Sequence, residues 1–171
     1  MDESAESVPR DGWTIDTRRF CERKESLFAA LGPEDLPRLD AEVIEDFAPV
    51  EVNVGVVVSP RGLSGLFVDL DGAVMLTCQR CMQPVEVGIR RRALFELVDS
   101  SSALDADDDD DWDRLLHSDR FDLIHLVEDE MLLALPYSPR HDRCETVERT
   151  SAGEKVSPFA GLAALKGAKR S

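Results

Sequence analysis

The sequence predicts an α+β domain, an antiparallel β-sheet meander with packed helices. Valines recur at every second position from Val50 to Val58, the period of a half-buried strand. The same period continues through Leu66, Val68 and Leu70, then Val74 and Leu76, then Val85, Val87, Ile89, Phe95 and Leu97. Finally, Leu123, Val127, Met131 and Leu135 form an apolar stripe at helical spacing that stops at Pro136.

Taken in order, residues 1–11 read as a flexible N-terminal tail, because they are polar and lack periodicity. Trp13 and Ile15 make a short apolar entry. Asp16 or Thr17 can cap a helix expected over Thr17 to Ala30, in which Phe20, Leu27 and Phe28 follow helical spacing beside Cys21 and Lys24. Gly32-Pro33 stops it, and a helical turn over Pro33 to Leu39 follows. After the valine strand, Ser59-Pro60-Arg61-Gly62 is a turn. Asp71-Gly72 is a hairpin signal, which splits the next stretch into two strands. The second of these runs into Cys78-Gln79-Arg80-Cys81, and a further strand leaves it from Val85. The cysteine pair is thus expected at a strand-to-strand tip.

Residues 100–113 read as a disordered acidic loop, since the run Asp107 to Asp111 repels itself and has no core to bury. Asp122 can cap the last helix, which carries Glu128, Asp129 and Glu130 as an acidic ridge mainly off the apolar stripe. One domain over residues 12–146 is expected, then a flexible C-terminal tail over 147–171. That tail holds a small amphipathic patch from Pro158 to Lys166.

At 171 residues the chain can bury a real core, and with 6% aromatics Val and Leu must fill it. A net charge of −15 implies long-range repulsion from bare nucleic acid and attraction to basic partners, ribosomal proteins among them. Met1 to Arg10 has no apolar leader, and no apolar run nears the roughly 20 residues that span a bilayer, so a cytoplasmic protein without a membrane partner is expected. The four cysteines then read as reduced thiols or ligands.

Cys78 and Cys81, joined by His141 and Cys144 beyond the last helix, make a complete tetrahedral set for zinc. The simpler alternative is a reduced thiol pair at a sheet edge. A thioredoxin-like role fits less well, because a proline and a strand follow the pair instead of a helix. Arg80, Arg140 and Arg143 flank the four ligands and could form a basic rim for phosphate or a partner. Arg90, Arg91 and Arg92 are expected to pair with acidic neighbours. His125 and Glu128, one helical turn apart, would serve a metal-dependent hydrolase or nuclease, although a solvated helix face explains them as well.

The stretch Leu76 to Pro84 resembles the cysteine-pair signature of the YceD-like family, the large ribosomal RNA subunit accumulation proteins. Glu128 to Pro136 is similar to that family's acidic-then-apolar helix ending in proline. The likeness continues through Pro139, Arg140, His141 and Cys144, and again at Ser157 to Ala160 with Leu162 and Leu165. The resemblance implies a non-enzymatic factor in large ribosomal subunit biogenesis, needed for 23S rRNA accumulation or processing. Its partner would be a 23S rRNA precursor or a basic large-subunit ribosomal protein, and no small-molecule substrate is expected. The positions it marks are Cys78, Arg80, Cys81 and Pro84, then Glu128, Asp129, Glu130, Leu133, Pro136, His141 and Cys144. A hydrolase or nuclease, and a thiol-redox sensor, are the alternatives.

Overall fold

The valine strand Val50–Val58 (β3 in chain order) lies second in a five-stranded sheet, with Val50, Val52 and Val54 fully buried on its apolar face. A computed structural model describes residues 10–101, 104 and 112–144. The order of elements is a 3-10 turn at Arg10–Trp13, β1 Thr14–Ile15, α1 Thr17–Arg23, β2 Ser26–Leu31, α2 Pro37–Asp40, β3 Val50–Val58, β4 Ser64–Thr77, β5 Pro84–Val98, β6 Asp113–Leu116, β7 Phe121–Asp122 and α3 Leu123–Ala134. The main sheet runs β2-β3-β4-β5-β6, and β1 pairs with β7 separately. This is the expected α+β class, with an antiparallel meander extended by one parallel strand, since β6 pairs with β5 in parallel. The tails expected at 1–11 and 147–171 lie outside the described residues, apart from the 3-10 turn. So does most of the 100–113 loop, though Asp113 itself opens β6.

Two elements differ from the sequence reading. The helix expected over 17–30 ends at Lys24, whose φ of 53° is left-handed. Residues 26–31 are an edge strand instead. Leu27, Ala29 and Leu31 face Val54, Val52 and Val50 across the ladder, and Phe28 points away, half exposed. Helical spacing and strand alternation both fit so short an apolar run, and the open edge of β3 decided between them.

The second difference is at Asp71-Gly72, where no hairpin forms: β4 runs straight through. Leu66, Val68, Leu70, Val74 and Leu76 are all buried on one face. A two-residue turn at 71–72 would have put Val74 and Leu76 on the face opposite Leu70, because such a turn pairs residue 70 with 73. Gly72 is needed for space. A Cβ there would lie 2.9 Å from the methyls of fully buried Val50.

The helices cover one side of this sheet. Asp122 caps α3 by accepting from His125 N at 3.1 Å, and Asp16 caps α1 by accepting from Arg18 and Arg19 N. Leu123, Val127 and Met131 are fully buried, as the stripe requires. The acidic ridge is not a ridge, however. Glu128 and Glu130 are only 3% exposed. Glu128 Oε1 accepts from Arg38 N at 2.6 Å and Leu39 N at 3.2 Å. It thereby caps α2, whose own N-cap residue Leu36 makes no side-chain cap bond. Glu130 Oε2 meets Arg91 Nε of β5 at 2.5 Å. Asp129 alone faces out, paired with Arg38 and His125.

Replacing Glu128 strands the buried amide of Leu39 and the part-buried amide of Arg38, and hydrogen bonds to charged groups are worth about 1.5–3 kcal/mol each. Glu128→Ala should therefore cost about 3 kcal/mol in urea unfolding. Asp129→Ala, in an exposed pair, should cost about 1 kcal/mol or less.

A candidate metal centre at the hairpin tip

The β4–β5 ladder is in register to its last pair, Thr77 with Pro84, so residues 78–83 must close the tip. Cys78 N donates to Gln83 O, and Met82 N donates to Cys78 O, both at 2.9 Å. Met82 takes a φ of 60°, turning the chain back toward β5. The geometry brings both cysteine side chains to one side of the tip.

The second pair of ligands arrives from beyond α3. Leu135 leaves the helix with an extended ψ of 134°, as the residue before a proline must. Pro136 to Arg143 then folds over the tip. Gln79 N donates to Pro139 O at 2.8 Å, which clamps the two backbones together.

Cys78, Cys81, His141 and Cys144 consequently meet, with one ligand atom from each lying within 4.8 Å of all the others. Cys78 Sγ is 3.6 Å from Cys144 Sγ. His141 Nδ1 is 3.4 Å from Cys81 Sγ and 4.0 Å from Cys144 Sγ. Bond lengths of about 2.3 Å to sulfur and 2.0–2.1 Å to nitrogen imply edges of roughly 3.5–3.8 Å in a tetrahedral zinc site. The separations of 3.4, 3.6 and 4.0 Å bracket that size, and the whole set lies within 4.8 Å, close to what an ion would need to draw together. The spacing is also too long for a sulfur–sulfur bond, and all four cysteines of the chain are free. Cys21 lies on α1 and is not in the set.

The site is electrostatically prepared for thiolates. Burial pushes the Cys78 thiol up, but backbone N–H groups of Cys81, Arg80 and His141 outweigh it and bring the pKa down to about 5. For Cys81, a backbone bond from Gln83 lowers the pKa. Burial and hydrogen bonds with Cys144 and Cys78 overcome it, and the net direction is up. His141 is raised by its hydrogen bonds to Cys78 and Cys144.

Arg80, expected from the sequence on a basic rim, is exposed and also reaches the ligands directly. It turns into the site, with Nε donating to Cys144 Sγ at 2.8 Å and Nη2 donating to His141 O at 3.0 Å. It spans the two half-sites and offsets thiolate charge. Arg140 and Arg143 remain exposed beside them, Arg140 donating to Ser138 Oγ at 3.2 Å. Arg90 and Arg92 pair with Asp71 and Asp69 across the open face of the sheet. The hydrolase pair is not assembled. Glu128 is bound to backbone amides, and His125 sits on the surface against Asp129.

Sequence reasoning missed three participants. Gln79 and Pro139 act through the backbone, which side-chain chemistry cannot announce. Buried Glu96 of β5 accepts from Ser59 Oγ at 2.5 Å and lies 3.2 Å from Arg61 Nε, holding the β3–β4 turn. An acidic residue in a strand gives no sign of such a partner.

Residues 66–166 match the model of a family described as large ribosomal RNA subunit accumulation protein YceD. A protein of that name from Haemophilus influenzae is similar over 169 residues, with 27% identity, covering 90% of this chain and 94% of the relative. No solved structure matches.

Two outcomes follow from the geometry. Cys78 has a folded pKa below its unfolded one, so its stabilising contribution is complete above the unfolded value and is lost as pH falls through about 5. Ultraviolet thiolate absorbance of metal-free protein should show a first titration step near pH 5 that Cys78→Ser abolishes. In zinc-loaded protein, Arg80→Gln should weaken retention against a competing chelator by about 10–100-fold, with Arg80→Lys intermediate.

Proposed function

The chain belongs to the YceD family of large ribosomal RNA subunit accumulation proteins, and from that premise we propose that it is a non-enzymatic cytoplasmic factor that promotes accumulation of 23S ribosomal RNA. It does so by engaging a basic large-subunit ribosomal protein, with a structural zinc ion fastening the surface it presents. The observation that carries this reading is the convergence of Cys78, Cys81, His141 and Cys144 into a set of tetrahedral size. A closed set of four protein ligands leaves no position for a reactive water, which supports a structural role over a hydrolytic one.

Zinc supplies cross-linking here and nothing more. Three thiolates and one imidazole around a divalent ion carry a net charge of about −1, and Arg80 stands where it can balance that charge. The described helices give no membrane route, none being long and apolar enough to cross a bilayer.

Charge supports a protein partner over naked RNA. At −15 the molecule repels phosphate at long range and attracts a cationic protein. Arg80, Arg140 and Arg143 are exposed cations at or beside the metal ligands, and they could still touch RNA at short range within a pre-ribosomal particle.

Elemental analysis tests the metal: one zinc per wild-type chain and none in Cys78→Ser is the expected result. A pull-down from lysate with and without nuclease tests the partner. A ribosomal protein retained after nuclease treatment is expected. Its loss would move the reading to RNA.

A further inference from the structure

Beside the metal ligands lies an apolar groove of about 580 Å³ that the proposed function does not use. Its walls are Leu76 and Thr77 of β4 on one side and Leu132, Leu133, Leu135 and Tyr137 on the other. Pro139, clamped to Gln79, closes the end nearest the cysteines. Leu133 is 68% exposed and Tyr137 is fully exposed. On an acidic protein that is an unusual concentration of uncovered carbon, and such grooves mark binding surfaces.

We propose that this groove is the seat of the chain's own segment Pro158–Lys166, with the Phe159 ring against Leu133. Five observations converge on that occupant. The described chain stops at Cys144, a few residues past the groove's Pro139 wall. The fifteen residues from Cys144 to Phe159 can extend about 50 Å, so reach is not limiting. Phe159, Leu162 and Leu165 recur every third residue, an apolar series of a size that suits the groove. From Pro158 to Ser171 the sequence holds Lys166, Lys169 and Arg170 and no acidic residue, whereas the whole chain is at −15 and Glu42 lines the groove. The family match runs to residue 166 and so takes in this segment, ending just past Leu165.

Seated there, the segment would cover Leu133 and Tyr137, the two most exposed apolar side chains of the groove. The inference does not require zinc or the ribosomal reading.

Full-length protein labelled at leucine methyl and phenylalanine ring positions is the sample to use. Nuclear Overhauser contacts between the Phe159 ring and the Leu133 methyls are expected. Phe159→Ala should shift the methyl signals of Leu132, Leu133 and Leu135, and Leu165→Ala should shift a subset of them. Both residues lie outside the described core, so retained circular dichroism serves as the control for folding. Unchanged groove signals in Phe159→Ala, with no ring-to-methyl contact, would overturn the proposal. Contacts that appear only between differently labelled chains in a mixed sample would overturn it too, in favour of a second copy as the occupant.

Discussion

The placement of α3 is the constraint from which the site descends. Two buried carboxylates hold that helix at different points. Glu130 grips Arg91 on β5, and Glu128 caps α2 through the amides of Arg38 and Leu39. Each bond is directional, so the helix cannot slide or roll without stranding a buried carboxylate. A slip of one turn would move its end by about 5.4 Å. That is more than the 4.8 Å within which all four ligand atoms lie. An apolar stripe alone tolerates such slips, because one leucine can replace another against a flat sheet. The acidic residues that look like a solvated surface in the sequence are therefore the parts that set the geometry of the cysteines and histidine.

Much of this was legible in the sequence, for reasons that can be named. The strands at 50–58 and 85–98 announced themselves through strict alternation over many residues, and α3 through a stripe closed by a cap and a proline. The four ligands could be listed from residue type alone. What the residue types could not supply was a long-range partner. Residues 26–31 fit helix and strand equally until β3 stands beside them. Parity did argue against the hairpin at Asp71-Gly72, since every buried residue from Leu66 to Leu76 is even-numbered. The local turn signal is strong enough to hide that pattern. The roles of Arg80, Glu128 and Glu130 were obscured by the habit of placing charge outside. Each is explained by a partner 39 to 90 residues away.

The metal-ligand set and the sheet also stabilise each other. Cys78 has no exposed surface and belongs to the hydrophobic core, while Cys81 and Cys144 pack against its margin. The ligands therefore sit on a foundation that holds them near the needed separation before any ion arrives. Pre-arrangement of this kind reduces the ordering cost of binding. The backbone donors of the tip favour the Cys78 thiolate against the burial that opposes it.

The separation of Cys78 from Cys144 along the chain, 66 residues, bears on the order of events during synthesis. The sheet from β2 to β5 is complete in sequence before α3 has been made, and the last two ligands come later still. A nascent chain thus passes through a stage with a formed hairpin and only half a chelate. An ion held by all four residues would require that residue 144 had emerged and folded back over the tip. A chain broken off before that point would keep the thiol pair of Cys78 and Cys81 and lack the two donors that complete the set.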